Sequence, residues 1–415
     1  MLTGTNLTHA KRHNLQTVHE TIRLHGPISR ADVARRTRLT AQTVSNLVRE
    51  LVDDGLVIEA ERRRQGRGAP SIQLEVNPRA AFAVGFDLDV DHLTAVLVDL
   101  AGEVHERIHH EVEVGSPEAA LALVAETTRE LIARAGLKLS QVLGVGVGIP
   151  GPMVPSHGDE NTYVVSPMAF RGWRDVPFAE QLHAELGLPV FIENNATAAA
   201  VGENWYGAGQ HLSTFFYVYL GSGLGGGLVV RGHPFEGFTG NAGEIGYLSP
   251  TAAGPGAARH VGEWFNVGRL YERLGEAGSP AASLDDLEGL LAAGDPAFEA
   301  WLGEASEQLG AALLTVEALL NPEVTFIGGR WPAPLLGALL ERTDAYVRHQ
   351  QVIGRAIEPT LRLATAGIDA AALGVATLPL YSAFAPQPGI FLKRADSTER
   401  LAGAPPAPDT LVFSS

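Results

Sequence analysis

The chain has 415 residues, 45% of them hydrophobic, which is enough for two or three domains with sizeable cores. It contains no cysteine, which excludes disulfide bonds and thiolate zinc sites. The net charge of −16 conceals a basic N-terminal part: residues 1–80 hold 13 Lys and Arg against 8 Asp and Glu, and the rest holds 18 against 39. With no membrane-length apolar run and no recognisable signal peptide, we expect a cytoplasmic protein that approaches nucleic acid only through its N-terminal part.

The first 78 residues follow the pattern of a winged helix-turn-helix. A first helix ends before a Gly-Pro pair, Ser29 opens a short second helix, and Thr40 is suited to cap a third helix that ends before Gly55. Two strands follow, at 56–58 and 71–76, joined by the basic stretch ERRRQGRGAP. Three helices followed by a hairpin with a basic tip predict a DNA-binding head.

The predicted head presents polar side chains to the DNA on its third helix and arginines at its hairpin tip. Hydroxyl and amide groups on the helix can contact base edges in the major groove, and the arginines can lie near phosphates. The residues that we assign to DNA binding are Ser29, Thr40, Gln42, Thr43, Ser45, Asn46, Arg49, Arg64 and Arg67. The alternative is a three-helix protein-interaction module with a solvated basic loop.

The remainder of the chain has two similar halves. Residues 82–104 and 214–231 each read as two strands joined by a tight turn, and α/β units follow each pair. This pattern predicts a duplicated α/β fold with a cleft between two lobes. The other predicted helices lie near 117–135, 262–274, 297–320 and 367–381, and the tail beyond residue 385 is rich in Pro and Ala.

Three stretches of the body can carry chemistry. The glycine-rich turn GSGLGGG at 221–227 can present N–H groups to a phosphate, although a plain hairpin explains it equally well. Glu244 lies among small residues and can accept hydrogen bonds from sugar hydroxyls, or it is an ordinary cap. Asn194 and Asn195 lie where a predicted strand ends and a helix begins, a common place for an active site. The histidines form no ligand-like cluster, His260 reads as a surface residue, and we expect no metal.

Together these stretches resemble the ROK family of repressors and sugar kinases over about residues 12–385. The similarity is carried by LGSGLGGGLVVRGHPFEGFTGNAGEIGY, by the run ending in IENNATAAAVGE, and by GVGVGIPGP. The resemblance implies a two-lobed actin-like, hexokinase-like ATPase fold behind the winged helix. It predicts domains at 1–78, 79–200, 201–385, whose last helix packs back on the first lobe, and 386–415 as a tail.

The resemblance also implies a sugar site and no catalytic residue. Gly151, Asn194 and Glu244 match sugar-contacting positions of the family, Asn195 can hold a hydroxyl, and Tyr247 stands where relatives carry a histidine. The family's catalytic aspartate is replaced by Asn195, which has no useful basicity. The family's phosphate loop Asp-x-Gly-Gly-Thr reads Asp87-Leu88-Asp89-Val90-Asp91 here, so two added carboxylates would repel ATP. The cysteines of the family's zinc site are absent.

These features predict a DNA-binding transcriptional regulator, a repressor of carbohydrate genes, with no cofactor. Its expected partners are a double-stranded DNA operator and a small carbohydrate effector, and the resemblance implies a homodimer or a dimer of dimers. Two alternatives remain open: an ATP-dependent sugar kinase fused to a DNA-binding head, and a ligand-free body that serves only for dimerisation.

Overall fold

The N-terminal head consists of three helices and a small sheet. The computed structural model describes residues 7–63, 71–155, 163–165, 170, 172–250, 259–350 and 360–384. The head elements are α1 (Leu7–His25), β1 (Ile28–Ser29), α2 (Arg30–Thr37), α3 (Ala41–Asp53), β2 (Val57–Arg63) and β3 (Ser71–Val76), with sheet order β1-β3-β2.

The head helices begin and end where the sequence predicts. The Ser29 hydroxyl accepts the N–H of Asp32 at 3.2 Å, and the Thr40 hydroxyl accepts the N–H of Thr43 at 3.1 Å. Gly55 follows α3 with φ of 72°, a conformation that glycine adopts without strain. The buried face of α3 consists of Val44, Leu47, Val48 and Leu51.

The body contains two five-stranded sheets. The first comprises β4 (Phe82–Leu88), β5 (His92–Asp99), β6 (Val104–Glu111), β7 (Val142–Ile149) and β10 (Val190–Asn194). Between these strands lie α4 (Pro117–Arg134), the hairpin β8 (Met153–Pro155) and β9 (Tyr163–Val165), and α5 (Phe178–Leu186), and α6 (Asn195–Tyr206) leaves the sheet. The second comprises β11 (Thr214–Leu220), β12 (Leu224–Val230), β13 (His233–Pro234), β14 (Val324–Gly329) and β15 (Leu361–Leu363). The helices that follow α6 in the chain are α7 (Val267–Glu276), α8 (Leu284–Ala293), α9 (Pro296–Leu320), α10 (Ala333–His349) and α11 (Ala370–Phe384).

Both sheets have the same topology. Their orders, β10-β7-β4-β5-β6 and β15-β14-β11-β12-β13, each describe a three-stranded antiparallel meander extended on one side by two parallel strands. The second sheet repeats the pairing with β11, β14 and β15 parallel. The predicted duplicated α/β body is therefore confirmed. None of the described helices is long and apolar enough to span a membrane.

Several elements of the body escaped the sequence pattern. The predicted pair of strands over 82–104 is followed by a third strand, β6, in which only Ile108 is buried. Such a partly exposed edge strand has a weak period-two signal. Helices α8 and α10 were also not predicted, and the predicted helix near 262–274 begins later, at Val267.

Helices α6 and α11 pack backbone to backbone at the centre of the body. A Cβ added to Gly374 on α11 would lie 1.8 Å from the carbonyl oxygen of Ala198, and one added to Gly202 on α6 would lie 2.1 Å from that of Ala370. On its other side α11 covers the first sheet, where a Cβ at Gly85 would lie 2.0 Å from the carbonyl oxygen of Ala372. The two helices therefore join the two sheets, and the backbones lie so close together that only glycine fits at these positions.

We expect Gly374→Ala to destabilise the protein by about 1–3 kcal/mol, because the added methyl must push α11 away from α6. Thermal or urea unfolding measures the change. The matched control is Gly303→Ala, in helix α9, where a Cβ meets nothing within 4 Å and the better helix propensity should stabilise slightly. Equal stability of Gly374→Ala and the wild type would contradict this account of the helix pair.

Candidate functional site

A cavity of about 280 Å³ lies at the cleft between the two sheets. The carboxyl end of β10, the start of α6 and the turn between β11 and β12 form its walls. All five residues that the sequence assigned to sugar binding line it: Gly151, Asn194, Asn195, Glu244 and Tyr247. The structure thus brings together residues separated by almost one hundred positions in the chain, and their role in binding remains a prediction.

The Asn194 side chain is oriented by the helix that it caps. Its Oδ1 accepts the N–H groups of Ala196 at 2.8 Å and Thr197 at 3.3 Å. Because both acceptor directions face the helix, Nδ2 points away from it and donates to Glu244 Oε1 at 3.2 Å. The cavity therefore presents a carboxylate held beside an amide, a pair that can bind adjacent hydroxyls.

Asn195 stands on the first turn of α6, next to this pair. Its side chain is buried, faces the cavity, and makes no hydrogen bond with another described side chain or backbone group. An amide in this position can donate one hydrogen bond and accept another, but it cannot remove a proton from a hydroxyl at neutral pH.

Gly151 lies directly against the side chains of Asn194 and Glu244. A Cβ at residue 151 would lie 2.4 Å from Glu244 Oε1 and 2.7 Å from Asn194 Nδ2. Any side chain would displace one of the two polar groups. A glycine here is therefore required by the close approach of the two neighbouring side chains.

Tyr247 and His260 also line the cavity. Their ring centroids are 5.5 Å apart, and burial together with the charge of Glu244 raises the pKa of Tyr247. The sequence placed His260 on the surface; its side chain is 33% exposed and also lines the cavity. Its Nε2 lies 3.5 Å from Glu263 Oε1, and its buried Nδ1 has no hydrogen-bond partner among the described residues.

Two carboxylates, one at the end of β4 and one in the loop that follows it, form hydrogen bonds across the cleft. Asp87 Oδ2 accepts the hydroxyl of Tyr219 at 3.0 Å, and Asp89 Oδ1 accepts the hydroxyl of Ser222 at 2.9 Å. Both bonds cross from the first sheet to the second. Burial raises the pKa of Asp89, and the charges of Asp87 and Asp91 add to that effect, whereas His92 opposes it.

His92 links two of these carboxylates. Its Nδ1 lies 2.7 Å from Asp91 Oδ1 and its Nε2 lies 3.4 Å from Asp87 Oδ2. Burial alone would lower the pKa of His92, but the hydrogen bonds to the two aspartates raise it to about 9. The groups of Asp89, Asp91 and His92 lie close enough to surround a cation, yet both imidazole nitrogens already face carboxylates. The absence of a metal remains a prediction.

The polar side of α3, which the sequence assigned to DNA binding, is accessible for most of its length. Thr40, Gln42, Asn46 and Arg49 are exposed, and Thr43 and Ser45 are half-buried. Gln42 Nε2 donates to Asn46 Oδ1 at 3.1 Å, so these two amides form one polar surface.

Ser29 differs from the other residues assigned to DNA. It is buried, and its hydroxyl accepts the N–H of Asp32 and donates to that residue's carboxylate at 2.7 Å. The structure places it as a helix cap, with no free hydroxyl for a phosphate. Arg64, Arg67 and the tail at 386–415 lie outside the described residues.

The sequence did not assign several residues that the structure places at the cavity. The added lining residues are Asp89, Tyr219, Ser222, His260 and Asn266. Asp89 and Ser222 lay within stretches already noted, as a repelling carboxylate and a glycine-rich turn. No spacing in the sequence indicates that they bond to each other, because they are 133 positions apart.

The fold defines a winged helix joined to a two-lobed α/β body with a cavity at its cleft. Residues 83–380 match the family model described as "ROK family", and residues 11–68 match that of the MarR family. The chain therefore belongs to the ROK family.

Three similar proteins illustrate the range of that family. The xylose repressor of Bacillus spizizenii is 30% identical over 249 residues, which is 60% of this chain but only 63% of the repressor. A crystal structure of a ROK family transcriptional regulator, a homologue of Escherichia coli MLC, superposes with a TM-score of 0.73 at 24% identity, covering 91% of this chain and 97% of that one. The ROK hexokinase of Thermus thermophilus superposes with a TM-score of 0.57 at 27% identity, covering 73% and 98%.

The raised pKa of His92 predicts a stability that declines at alkaline pH. A histidine whose pKa is about 9 when folded and 6.5 when unfolded stabilises the fold fully below pH 6.5 and loses that contribution as the pH rises through 9. The loss is at most about 3 kcal/mol. Urea unfolding of the wild type and His92→Gln between pH 6 and 10 measures it. Parallel pH profiles of the two proteins would disprove the proposed charge on His92.

Proposed function

We propose that this protein is a DNA-binding transcriptional regulator, a repressor of carbohydrate genes, whose body senses a sugar without phosphorylating it. The observation that carries the proposal is a cavity lined by amides and a carboxylate, with Asn195 at the position that the resemblance gives to a catalytic base. Because the same chain carries a winged helix, the proposed output is DNA binding. The similarity to a protein named xylose repressor supports both DNA binding and sugar sensing.

The contacts of the loop at 87–92 support a body without kinase activity. Asp89 already accepts the hydroxyl of Ser222 in the glycine-rich turn, where a phosphate would need the same donors. Loss of a positioned base costs about 10²–10⁴-fold in rate, and the loop adds electrostatic repulsion of ATP. We therefore propose a degenerate sugar kinase. ATP-dependent phosphorylation of any hexose by the purified protein would overturn this part.

The proposed head binds a double-stranded operator through α3. Gln42, Asn46 and Arg49 are exposed on its polar face, and this surface can enter a major groove. A two-fold operator would require two heads at fixed spacing, so a homodimer or a dimer of dimers is part of the proposal.

Helix α6 offers a direct route from the cavity to the head. It begins with Asn195 at the cavity and ends at Tyr206, which packs against a hydrophobic cluster shared by head and body. That cluster contains Val18 and Ile22 of α1 together with residues of the first sheet and α11. A ligand that shifts the start of α6 can therefore change the docking of α1.

Two polar-aromatic contacts hold α1 on the body. The Arg23 guanidinium lies 3.8 Å from the ring centroid of Trp205 on α6, and Glu20 binds the same guanidinium with both carboxylate oxygens. The His19 ring lies 5.3 Å from the ring of Phe384 on α11, tilted by 36°, and burial lowers the pKa of His19 to about 4, so it docks as a neutral ring. Since α1 also packs on α3, movement of α1 would reposition the DNA-facing helix.

Fluorescence anisotropy on labelled DNA from upstream of the protein's own gene tests the proposal, at stated salt and with a panel of sugars. Specific binding that one sugar alters by about 5–150-fold would support the regulator. Specific binding that no sugar alters would leave a repressor and overturn the sensing role. If the protein shows no specific binding to this DNA, either alone or with any of the sugars, the DNA-binding function is overturned.

We expect Arg49→Ala to weaken operator binding by about 1–3 kcal/mol and to reduce the salt dependence, because the guanidinium on α3 would contact DNA. The control is Arg362→Ala, which removes an exposed arginine from strand β15 of the body. Equal losses for the two variants would indicate a nonspecific effect of net charge.

We expect Trp205→Ala to leave DNA binding and sugar binding measurable. The ratio of DNA affinities with and without sugar should fall close to one, because Arg23 loses its aromatic partner. Trp205→Phe keeps a ring under the guanidinium and should keep most of the effect. Titrations of DNA with and without D-xylose or N-acetylglucosamine measure it. An undiminished effect in Trp205→Ala would exclude this contact from the coupling.

A further inference from the structure

We infer that the cavity takes an uncharged sugar and excludes sugar phosphates, and that Asp89 is the residue that excludes them. The inference rests on the proposed sugar-sensing function and specifies its ligand class. It depends on the charges that line the cavity, on the hydrogen bonds that Asp89 makes, and on the Asn195 amide that lines the cavity with it.

The cavity has an acidic lining. Asp89 and Glu244 contribute carboxylates, and no lysine or arginine lines it among the described residues. His260 is the one histidine among the described lining residues, and its Nε2 lies 3.5 Å from Oε1 of Glu263. A phosphate ester entering this space would meet two carboxylates and no guanidinium or ammonium group to pair with.

The donors that could bind a phosphate are already occupied by Asp89. Its Oδ1 accepts the Ser222 hydroxyl at 2.9 Å and the Val90 N–H at 2.7 Å, and its Oδ2 lies 3.5 Å from the Ser222 N–H. The carboxylate also lies against the backbone of the glycine-rich turn, 3.1 Å from the Cβ position of Gly221. The protein thus places its own anion where the turn would receive an external one.

Asp89 shares the cavity with polar groups that can bind hydroxyls. Asn195 and Asp89 both line the cavity, with Asn194 and Glu244 beside them. A hydroxyl held by this set can donate to either carboxylate and accept from the amide of Asn195. Replacing that hydroxyl by a phosphate removes the donor and adds a like charge, so both changes oppose binding.

Isothermal titration calorimetry at pH 7.5 with three matched pairs tests the inference on the full-length protein. The pairs are D-xylose and its 5-phosphate, D-glucose and its 6-phosphate, and N-acetylglucosamine and its 6-phosphate. In any pair that binds, we expect the neutral sugar to bind at least about 100-fold more tightly, from like-charge repulsion at close range. A phosphate ester that binds as tightly as its parent sugar overturns the inference.

The variant Asp89→Asn separates the role of this residue from that of the cavity as a whole. Asparagine has the same size and can still accept from Ser222 through its carbonyl oxygen, so we expect discrimination in the binding pair to fall about tenfold or more. Asp285→Asn is the control, because it removes the same charge from an exposed position on α8. Unchanged discrimination in Asp89→Asn would overturn the role of Asp89 while leaving the comparison of wild-type pairs valid.

The failure of the proposed function would look different. If the wild type binds operator DNA but no member of any pair gives heat or alters DNA affinity, the sugar-sensing function is overturned, and this inference with it. If a neutral sugar binds and is not discriminated from its phosphate, sugar sensing stands and only the exclusion by Asp89 fails.

Discussion

The close packing of α6 on α11 is the constraint on which the rest of the body depends. Glycines at 202 and 374 let the two backbones touch, and Gly85 lets α11 lie directly on the first sheet. Because α6 also covers the second sheet, the pair connects both halves of the duplicated fold. The start of α6 forms the cavity and its end contacts the head, so one rigid element positions both proposed functional surfaces.

The cleft is closed by groups of the chain itself. In a two-lobed body that holds a nucleotide between its lobes, the phosphate groups of that nucleotide would bridge the lobes. Here the negative charge between the lobes is supplied by the carboxylates of Asp87 and Asp89, which accept hydrogen bonds from the hydroxyls of Tyr219 and Ser222. The hydrogen bonds of His92 to Asp87 and Asp91 raise its pKa to about 9, which favours a buried positive charge beside these carboxylates. The two hydrogen bonds from Tyr219 and Ser222 connect the two lobes through side chains of the protein itself.

The sequence was informative wherever a feature is local. Helix caps at Ser29 and Thr40 follow from side chains that satisfy free N–H groups within three residues, and the structure has both. The strand-to-helix junction at Asn194 and Asn195 was visible as an apolar run followed by an alanine-rich one. The resemblance to the ROK family then selected Gly151 and Glu244, which spacing alone could not connect with that junction.

By itself the sequence determined the order of elements, the acidic body with a basic head, and the absence of a base at residue 195, because these depend on residue type and on neighbours in the chain. Only the tertiary structure decided that Asp89 bonds to Ser222, that His260 turns toward the cavity, and that Trp205 lies beneath Arg23. Each of these contacts joins segments far apart in the chain. Their distances depend on how helices and sheets pack, and no local pattern of residues encodes them.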